Sequence, residues 1–318
     1  MPEVDWLTQL LRLITVTGRL EVRCTYGAPW RVAWPQSAAH EIPYHIVLKG
    51  RAILIDSRTE AVTDLRGGDI VLLPHGSEHV LHDGSGDAPA HTHNHRDSGG
   101  WMVSENEGGG ERLDLLCGKF LVKPPHDRLI RNYLPTNVVA RGSADHPDEG
   151  VSSASHQLTG LLGLMRIEST SGRLGGTAVL NALSTALFAL VLRAASESDH
   201  APAGLLALAG HPRLGPAISA LFANPARAWK LPELADMCSM SRATFMRQFQ
   251  EKFGHSAMEL LTDIRMGLAA NDLKKPGATT AGVGESVGYL SEAAFRRAFA
   301  EWMGMTPGQW RRSAPKEP

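Results

Sequence analysis

The chain has 318 residues, 43% of them hydrophobic and 20% charged, with a formal net charge of −1. That length accommodates two domains with separate cores, and the composition excludes a disordered or membrane-embedded chain. The charge is uneven: residues 211–318 carry 14 Lys and Arg against 10 Asp and Glu, while residues 1–210 carry 18 against 23, a mildly basic end behind an acidic front.

The opening Met1-Pro2-Glu3-Val4-Asp5-Trp6 has acids where a secretory signal carries basic residues. Three Cys make no disulfide framework, so a reducing cytoplasm is the expected compartment. Trp6, Leu7, Leu10, Leu11 and Ile14 fall at helical spacing and predict a short amphipathic helix over 5–16. From about 20 to 123 the texture changes to short β-rich runs. Tyr44–Ile55, Asp69–Leu73, His79–Leu81 and Arg112–Val122 read as strands, which suggests a sandwich or jelly roll. Residues 82–111, rich in Gly, His, Asp and Ser, read as a mobile surface loop, and 137–153 as a second loose stretch.

Two helices follow, near 154–168 and 176–196. The second carries Val179, Leu180, Leu183, Leu187, Leu190 and Val191 on one face, which must pack against the β-rich part or a partner subunit. That face is the ground for expecting a homodimer. The run near Leu183–Leu192 is too short and too interrupted to span a bilayer, so no membrane partner is expected. Residues 198–204 read as an interdomain linker, and everything after His211 as helix.

In that last stretch a helix-turn-helix pattern occurs twice. Leu231–Met237 and Cys238-Ser239-Met240 lead to Ser241, which can cap a helix with Phe245 and Phe249 inward. Val283–Leu290 lead to Ser291, with Phe295 and Phe299 at the same offsets. The outward faces then hold Arg242, Thr244, Arg247 and Gln248 in the first unit, and Glu292, Arg296 and Arg297 in the second. Arg pairs with guanine and Gln with adenine through two hydrogen bonds each, so reading is expected mainly in the first unit. Between them, Leu260, Leu261, Ile264 and Leu268 predict a spacer helix over 257–273.

These residues, with Leu234-Ala235, Phe253-Gly254, Val287-Gly288-Tyr289 and Gly304-Met305-Thr306-Pro307, resemble the DNA-binding domain of the AraC/XylS family of bacterial transcription regulators over 211–312. The resemblance implies seven helices, double-stranded promoter DNA as partner, and contact with RNA polymerase as an activator makes it. One departure is Gly284, where the family usually has Ala; a helix-interior Gly costs about 1 kcal/mol relative to Ala.

Gly68-Asp69-Ile70-Val71-Leu72-Leu73-Pro74-His75-Gly76-Ser77-Glu78-His79 fits a second cupin motif, and Tyr44–Gly50 a reduced first motif that keeps His45. A metal-dependent cupin supplies three His and a carboxylate. His45 and His79 fall short of that unless His40 or His82 completes the set; otherwise they are interior imidazoles satisfied by hydrogen bonds. No cofactor is certain, and a divalent metal in the barrel stays an alternative, with ligand sensing or catalysis. His91, His93 and His95 alternate along an extended run and offer a further metal candidate, against the plainer reading of a solvated polar tip on a Gly-rich loop.

The first 200 residues resemble the cupin-type sensor domain of an AraC subgroup that includes a reactive-chlorine-responsive regulator. The resemblance rests on Cys24 in Cys-Thr-Tyr-Gly-Ala-Pro-Trp and Cys117 in Leu-Cys-Gly, and it implies that these two thiols are redox-active. By chemistry, two thiols of one barrel can oxidise to a disulfide, or both can be small buried hydrophobes. Cys238 is assigned to packing. The expected architecture is α+β: a cupin-type sensor jelly roll over 1–150, a helical dimerisation segment and linker over 151–204, and an all-α DNA-binding domain over 205–318. The expected function is a DNA-binding regulator rather than an enzyme.

Overall fold

In the computed structural model, residues 5–97, 101–142, 153–198, 201–202 and 204–313 are described. The start at Met1–Val4, most of the loose stretch over 137–153, and linker residues 199, 200 and 203 lie outside the described residues.

Helix α1 (Trp6–Ile14) begins where Asp5 Oδ1 accepts from the Thr8 amide at 2.9 Å, and it buries Leu7, Leu10, Leu13 and Ile14. Ten strands follow: β1 (Val16–Gly27), β2 (Arg31–Trp34), β3 (Glu41–Lys49), β4 (Arg51–Asp56), β5 (Val62–Arg66), β6 (Ile70–Leu72), β7 (His79–His82), β8 (Thr92–Arg96), β9 (Met102–Asn106) and β10 (Arg112–Val122). Then come α2 (Asp127–Tyr133), β11 (Val138–Ala140), α3 (Ser153–Ser171) and α4 (Gly176–Glu197). The chain closes with α5 (Leu205–Ala209), α6 (Gly215–Ala223), α7 (Leu231–Met237), α8 (Arg242–Phe253), α9 (Ala257–Asp272), α10 (Thr280–Ser286), α11 (Glu292–Met303) and α12 (Pro307–Ser313). The chain divides into two units, one built on β1–β11 with α3 and α4, the other on the remaining helices.

In the first unit a seven-stranded sheet, ordered β11-β6-β3-β10-β1-β9-β8, packs against a four-stranded one, β2-β7-β4-β5. Side chains alternate across each strand, so every second residue of β1, β3 and β10 enters the core between the sheets. Tyr26, Trp30, Val47, Leu54, Leu81 and Leu115 form it together with Cys24 and Cys117. The single run expected over Tyr44–Ile55 is two strands broken at Gly50.

Two expectations need correction. Residues 82–111 are not a featureless loop: β8 and β9 pair antiparallel from Thr92↔Asn106 to Arg96↔Met102, and β9 runs parallel to β1. The Gly-rich flanks hid a strand whose Val103 and Ser104 are buried against the sheet. Second, α4 is long and apolar enough to cross a membrane by length and composition. Its apolar face is instead covered by the barrel: Asn181 Oδ1 accepts from the Leu20 amide at 3.3 Å, Thr185 Oγ1 from the Gly18 amide at 2.9 Å, and Phe188 meets the Phe120 ring. Leu180, Leu187 and Val191 of the predicted stripe are thus buried within their own chain, while Leu183 and Leu190 are half-buried and Val179 is exposed.

The second unit gathers α1 and α2 with α5–α12, so the seven helices expected over the C-terminal third, α6–α12, are joined by elements from the front of the sequence. Trp6 of α1 meets Phe222 of α6. Asp263 on α9 ties two other helices to itself, accepting from Trp302 Nε1 of α11 at 2.6 Å and from the Tyr133 hydroxyl of α2.

Candidate DNA interface and buried thiol–imidazole chain

The two helix-turn-helix units repeat one another residue by residue. Ser241 Oγ accepts from the Thr244 amide at 3.2 Å, and Ser291 Oγ from the Ala294 amide at 3.2 Å. Each cap satisfies an amide that the first helical turn leaves unpaired. From Ser241 to Phe249 and from Ser291 to Phe299 the burial sequence is the same: three exposed residues, one half-buried, Phe buried, two exposed, one half-buried, Phe buried. Both helices end on a left-handed Gly, at Gly254 and Gly304. The turns differ in means. Ser239 takes φ 52° before the first recognition helix, and Gly288 takes φ 87° before the second.

Arg242, Arg247, Glu292, Arg296 and Arg297 lie exposed on α8 and α11, as the periodicity predicts. Arg247 pairs with Glu251 at 3.4 Å and Arg296 with Glu292 at 3.6 Å, exposed pairs of little strength that a phosphate can displace. Gln248 differs from expectation. It is half-buried, with Oε1 enclosed and without a hydrogen-bond partner. Thr244 is half-buried as well, its hydroxyl bonded to Ser241 Oγ at 2.9 Å. Sequence reasoning missed Arg213, which donates to the Ser239 carbonyl at 2.8 Å and braces the first turn; a lone Arg thirty residues upstream gave no signal.

Gly284 also has a structural reason. A Cβ built there meets Cβ, Cγ and Cδ1 of Phe295 at 2.9–3.0 Å, so α10 approaches α11 more closely than an Ala allows.

In the barrel, strand register brings Cys24, Cys117 and His45 together, and His79 joins them from the facing sheet. Cys117 on β10 faces His45 on β3, and Cys24 on β1 lies two residues along from Val22, the partner of Cys117. His45 Nδ1 is 3.0 Å from Cys117 Sγ, His45 Nε2 is 2.7 Å from His79 Nε2, and His79 Nδ1 is 2.7 Å from the Ser77 carbonyl. Cys24 and Cys117 stand in the same buried core cluster. A carbonyl oxygen only accepts, which fixes the protons of the whole chain for neutral imidazoles. His79 Nδ1 donates to Ser77, His45 Nε2 donates to His79 Nε2, and Cys117 donates to His45 Nδ1. Trp34 closes the end, its ring parallel to that of His79 at 5.5 Å.

Burial holds both imidazoles below their ordinary range, His45 far below, so both are neutral at pH 7. Burial likewise pushes the Cys117 thiol well up, whereas the neighbouring Cys117 thiol pulls Cys24 down. The first proton to leave is therefore that of Cys24. Asp56 was not singled out from sequence. It faces His79 across β4 and β7, fully buried, and although burial opposes its ionisation the Thr59 and Arg58 amides hold it below the usual carboxylate range.

The set does not fit a cupin metal centre. The facing nitrogens of His45 and His79 bond each other, and no third imidazole joins them among the described residues. His40 is exposed; His82 is half-buried, with Nδ1 accepting from the Gly84 amide. His93 and His95 stand on β8, His91 just before it, all outside the barrel core. Cys238 is buried, in keeping with packing.

Comparison with known proteins adds three relatives and two domain families. Residues 5–197 match the family described as Cupin, and residues 234–313 the one described as Helix-turn-helix domain. The HTH-type transcriptional regulator MtrA of Neisseria gonorrhoeae is 31% identical over 97% of this chain and 98% of its own length. The RCS-specific HTH-type transcriptional activator RclR of Escherichia coli is 27% identical over 97% of both chains. An uncharacterized HTH-type transcriptional regulator of Haemophilus influenzae is 27% identical over 98% of this chain and 99% of its own.

Proposed function

The chain belongs to the AraC-type DNA-binding transcriptional regulators that carry a cupin domain, and from that membership we propose that it reads promoter DNA sequence-specifically and changes that reading when an oxidant reaches Cys24 and Cys117. The observation that carries the DNA half is the doubled, equally capped recognition helix with arginines outward. Arg242 and Arg247 read base edges from α8, with Thr244 and Ser241 at the helix start. Arg296 and Arg297 grip the backbone from α11, beside Ser291 and Glu292. Two such helices on one rigid spacer suit successive major-groove faces. The protein works in the cytoplasm and activates through RNA polymerase.

The observation that supports the oxidant half is the hydrogen-bonded chain from Cys117 to Ser77, with Cys24 in the same buried core. In this reading the Cys24 thiolate attacks the chlorine of hypochlorous acid, forming S–Cl as Cl–O breaks and hydroxide leaves, which a proton turns to water. The Cys117 sulfur then displaces chloride to form the disulfide, and its proton passes to His45 Nδ1, already in hydrogen-bond contact. The protein acts as a homodimer. With Leu180, Leu187 and Val191 of the α4 stripe buried, the more exposed apolar face is that of α3, where Leu164 and Ile167 are each 57% exposed.

Binding of the purified protein to fragments of its own genome, with and without hypochlorite, tests this reading. Discrete sites that change on oxidation in the natural protein but not in Cys117→Ser support both halves. Discrete sites indifferent to oxidant retire the oxidant half alone, and absence of discrete sites retires the whole.

A further inference from the structure

The β8–β9 hairpin lies outside the barrel chemistry and carries a second constellation. His93 and His95 occupy alternate positions of β8 and so share one face, with rings 6.2 Å apart and nearly parallel. Directly opposite His93 in the register stands Glu105 of β9, its Oε2 3.8 Å from His93 Nε2. One ligand atom from each of the three lies within 4.8 Å of the others. We infer that the face formed by His93, His95 and Glu105 is a binding site for a borderline divalent transition metal ion, Zn²⁺ being the representative.

Three points carry the inference. Two imidazole nitrogens and one carboxylate oxygen are the donor set that suits such ions, and three protein ligands leave a coordination position for water. Ligand atoms of a tetrahedral ion at the usual bond lengths of 2.0–2.2 Å sit roughly 3.4 Å apart, so the 3.8 Å between His93 and Glu105 closes by a small side-chain rotation. Finally, the antiparallel ladder from Thr92↔Asn106 to Arg96↔Met102 fixes all three Cα positions before any ion arrives, so binding does not require the backbone to be ordered anew.

The site has a route inward. Glu105 follows Ser104, which pairs with Cys24 across β9 and β1 and accepts the Tyr26 hydroxyl hydrogen bond at 2.7 Å. An ion that pulls Glu105 toward β8 therefore bears on the strand next to Cys24.

Zinc titration of the full-length reduced protein by calorimetry tests the site. The expected result is one equivalent bound by the natural chain and by Cys24→Ser/Cys117→Ser, and its loss in His93→Ala/His95→Ala, with Glu105→Gln weakening it. The hairpin side chains are largely solvent-facing, His93 at 49% and Glu105 at 40% exposed, so these variants should keep their melting temperature and DNA binding. Failure of the natural chain to bind zinc, or an unchanged number of equivalents in the His93→Ala/His95→Ala variant, overturns the inference. Because the cysteine variant keeps the thiols out of the count, either failure leaves the thiol chemistry untouched.

Discussion

Nδ1 of His45 and Sγ of Cys117 lie 3.0 Å apart inside the barrel, on residues that face each other across β3 and β10. The contact gives one buried thiol a neutral imidazole partner, while burial of Cys117 and its effect on Cys24 leave Cys24 the more acidic of the pair. A division of labour follows from this asymmetry. In the proposed oxidant response, Cys24 is the sulfur that meets the oxidant and Cys117 the one that resolves it.

The first prediction concerns what the disulfide does to the barrel. Cys24 and Cys117 are diagonal neighbours on β1 and β10, a relationship that puts Cα atoms about 7–8 Å apart, while a disulfide wants them within roughly 6.8 Å. Bond formation must therefore pull β1 against β10. Oxidised protein should lose two titratable thiols, and hydrogen exchange should quicken in β1 and β9 relative to the reduced form. Cys24→Ser should keep DNA binding and lose the response. An oxidised barrel with unchanged exchange in those strands would mean that the disulfide carries no mechanical signal.

The second prediction is a pH dependence of stability. The folded-state values of His45 and His79 are depressed by burial below the unfolded value of about 6.5. Below that pH the unfolded chain takes up protons that the folded barrel refuses. Stability contributed by the neutral imidazoles is thus complete above about pH 6.5 and falls as pH drops toward their folded values, with a slope of up to about 1.4 kcal/mol per pH unit for each ring. Thermal melts of the full chain at a series of values from neutral to mildly acidic pH should show that fall, and His45→Gln should flatten it. An identical slope in the variant would assign the acid sensitivity to other groups.

Much of this arrangement was legible in the sequence. The paired Ser-x-x-x-Phe-x-x-x-Phe pattern announced α8 and α11 because a cap and two core anchors are local signals. The cupin motif located His79 for the same reason, its turn residues being sequence neighbours. Strand pairing and sheet packing are not local, and so the approach of Cys24, Cys117 and His45 through register, and of His79 from the facing sheet, is not readable from spacing. The β8–β9 hairpin was lost among its Gly-rich flanks, and with it the opposition of Glu105 to His93. Gln248 was misread outward because a period of 3.6 does not separate the edge of a helix face from its centre.

The third prediction turns on Gly284. Replacing it by Ala recovers about 1 kcal/mol of helix propensity. Against that, the new methyl meets the Phe295 ring root at 2.9 Å, and those are the least mobile atoms of that side chain. Overpacking of this kind costs roughly 1–3 kcal/mol, so the clash wins. Gly284→Ala should lower the unfolding midpoint of the helical unit and weaken DNA binding by displacing α11. At the matching place in the first unit an Ala, Ala235, is already accommodated, and Ala235→Gly should lose about 1 kcal/mol from the missing methyl group and the weaker helix propensity. A more stable Gly284→Ala protein would show that α10 and α11 have slack between them.

The last prediction separates base reading from backbone grip. Arg242 and Arg297 are both exposed, one near the start of α8 and one in the middle of α11. If α8 reads sequence, Arg242→Ala should cost about 1–3 kcal/mol at the preferred site and less at altered ones, which relaxes specificity. Arg297→Ala should weaken binding by a similar factor at every site. It should also reduce the dependence of log affinity on log salt by about one, since a phosphate that no arginine neutralises keeps its counterion. Titrations of the natural site and single-base variants at several salt concentrations distinguish the two. Equal weakening at every site for both variants would place sequence reading elsewhere on α8, with Arg247 the next residue to replace.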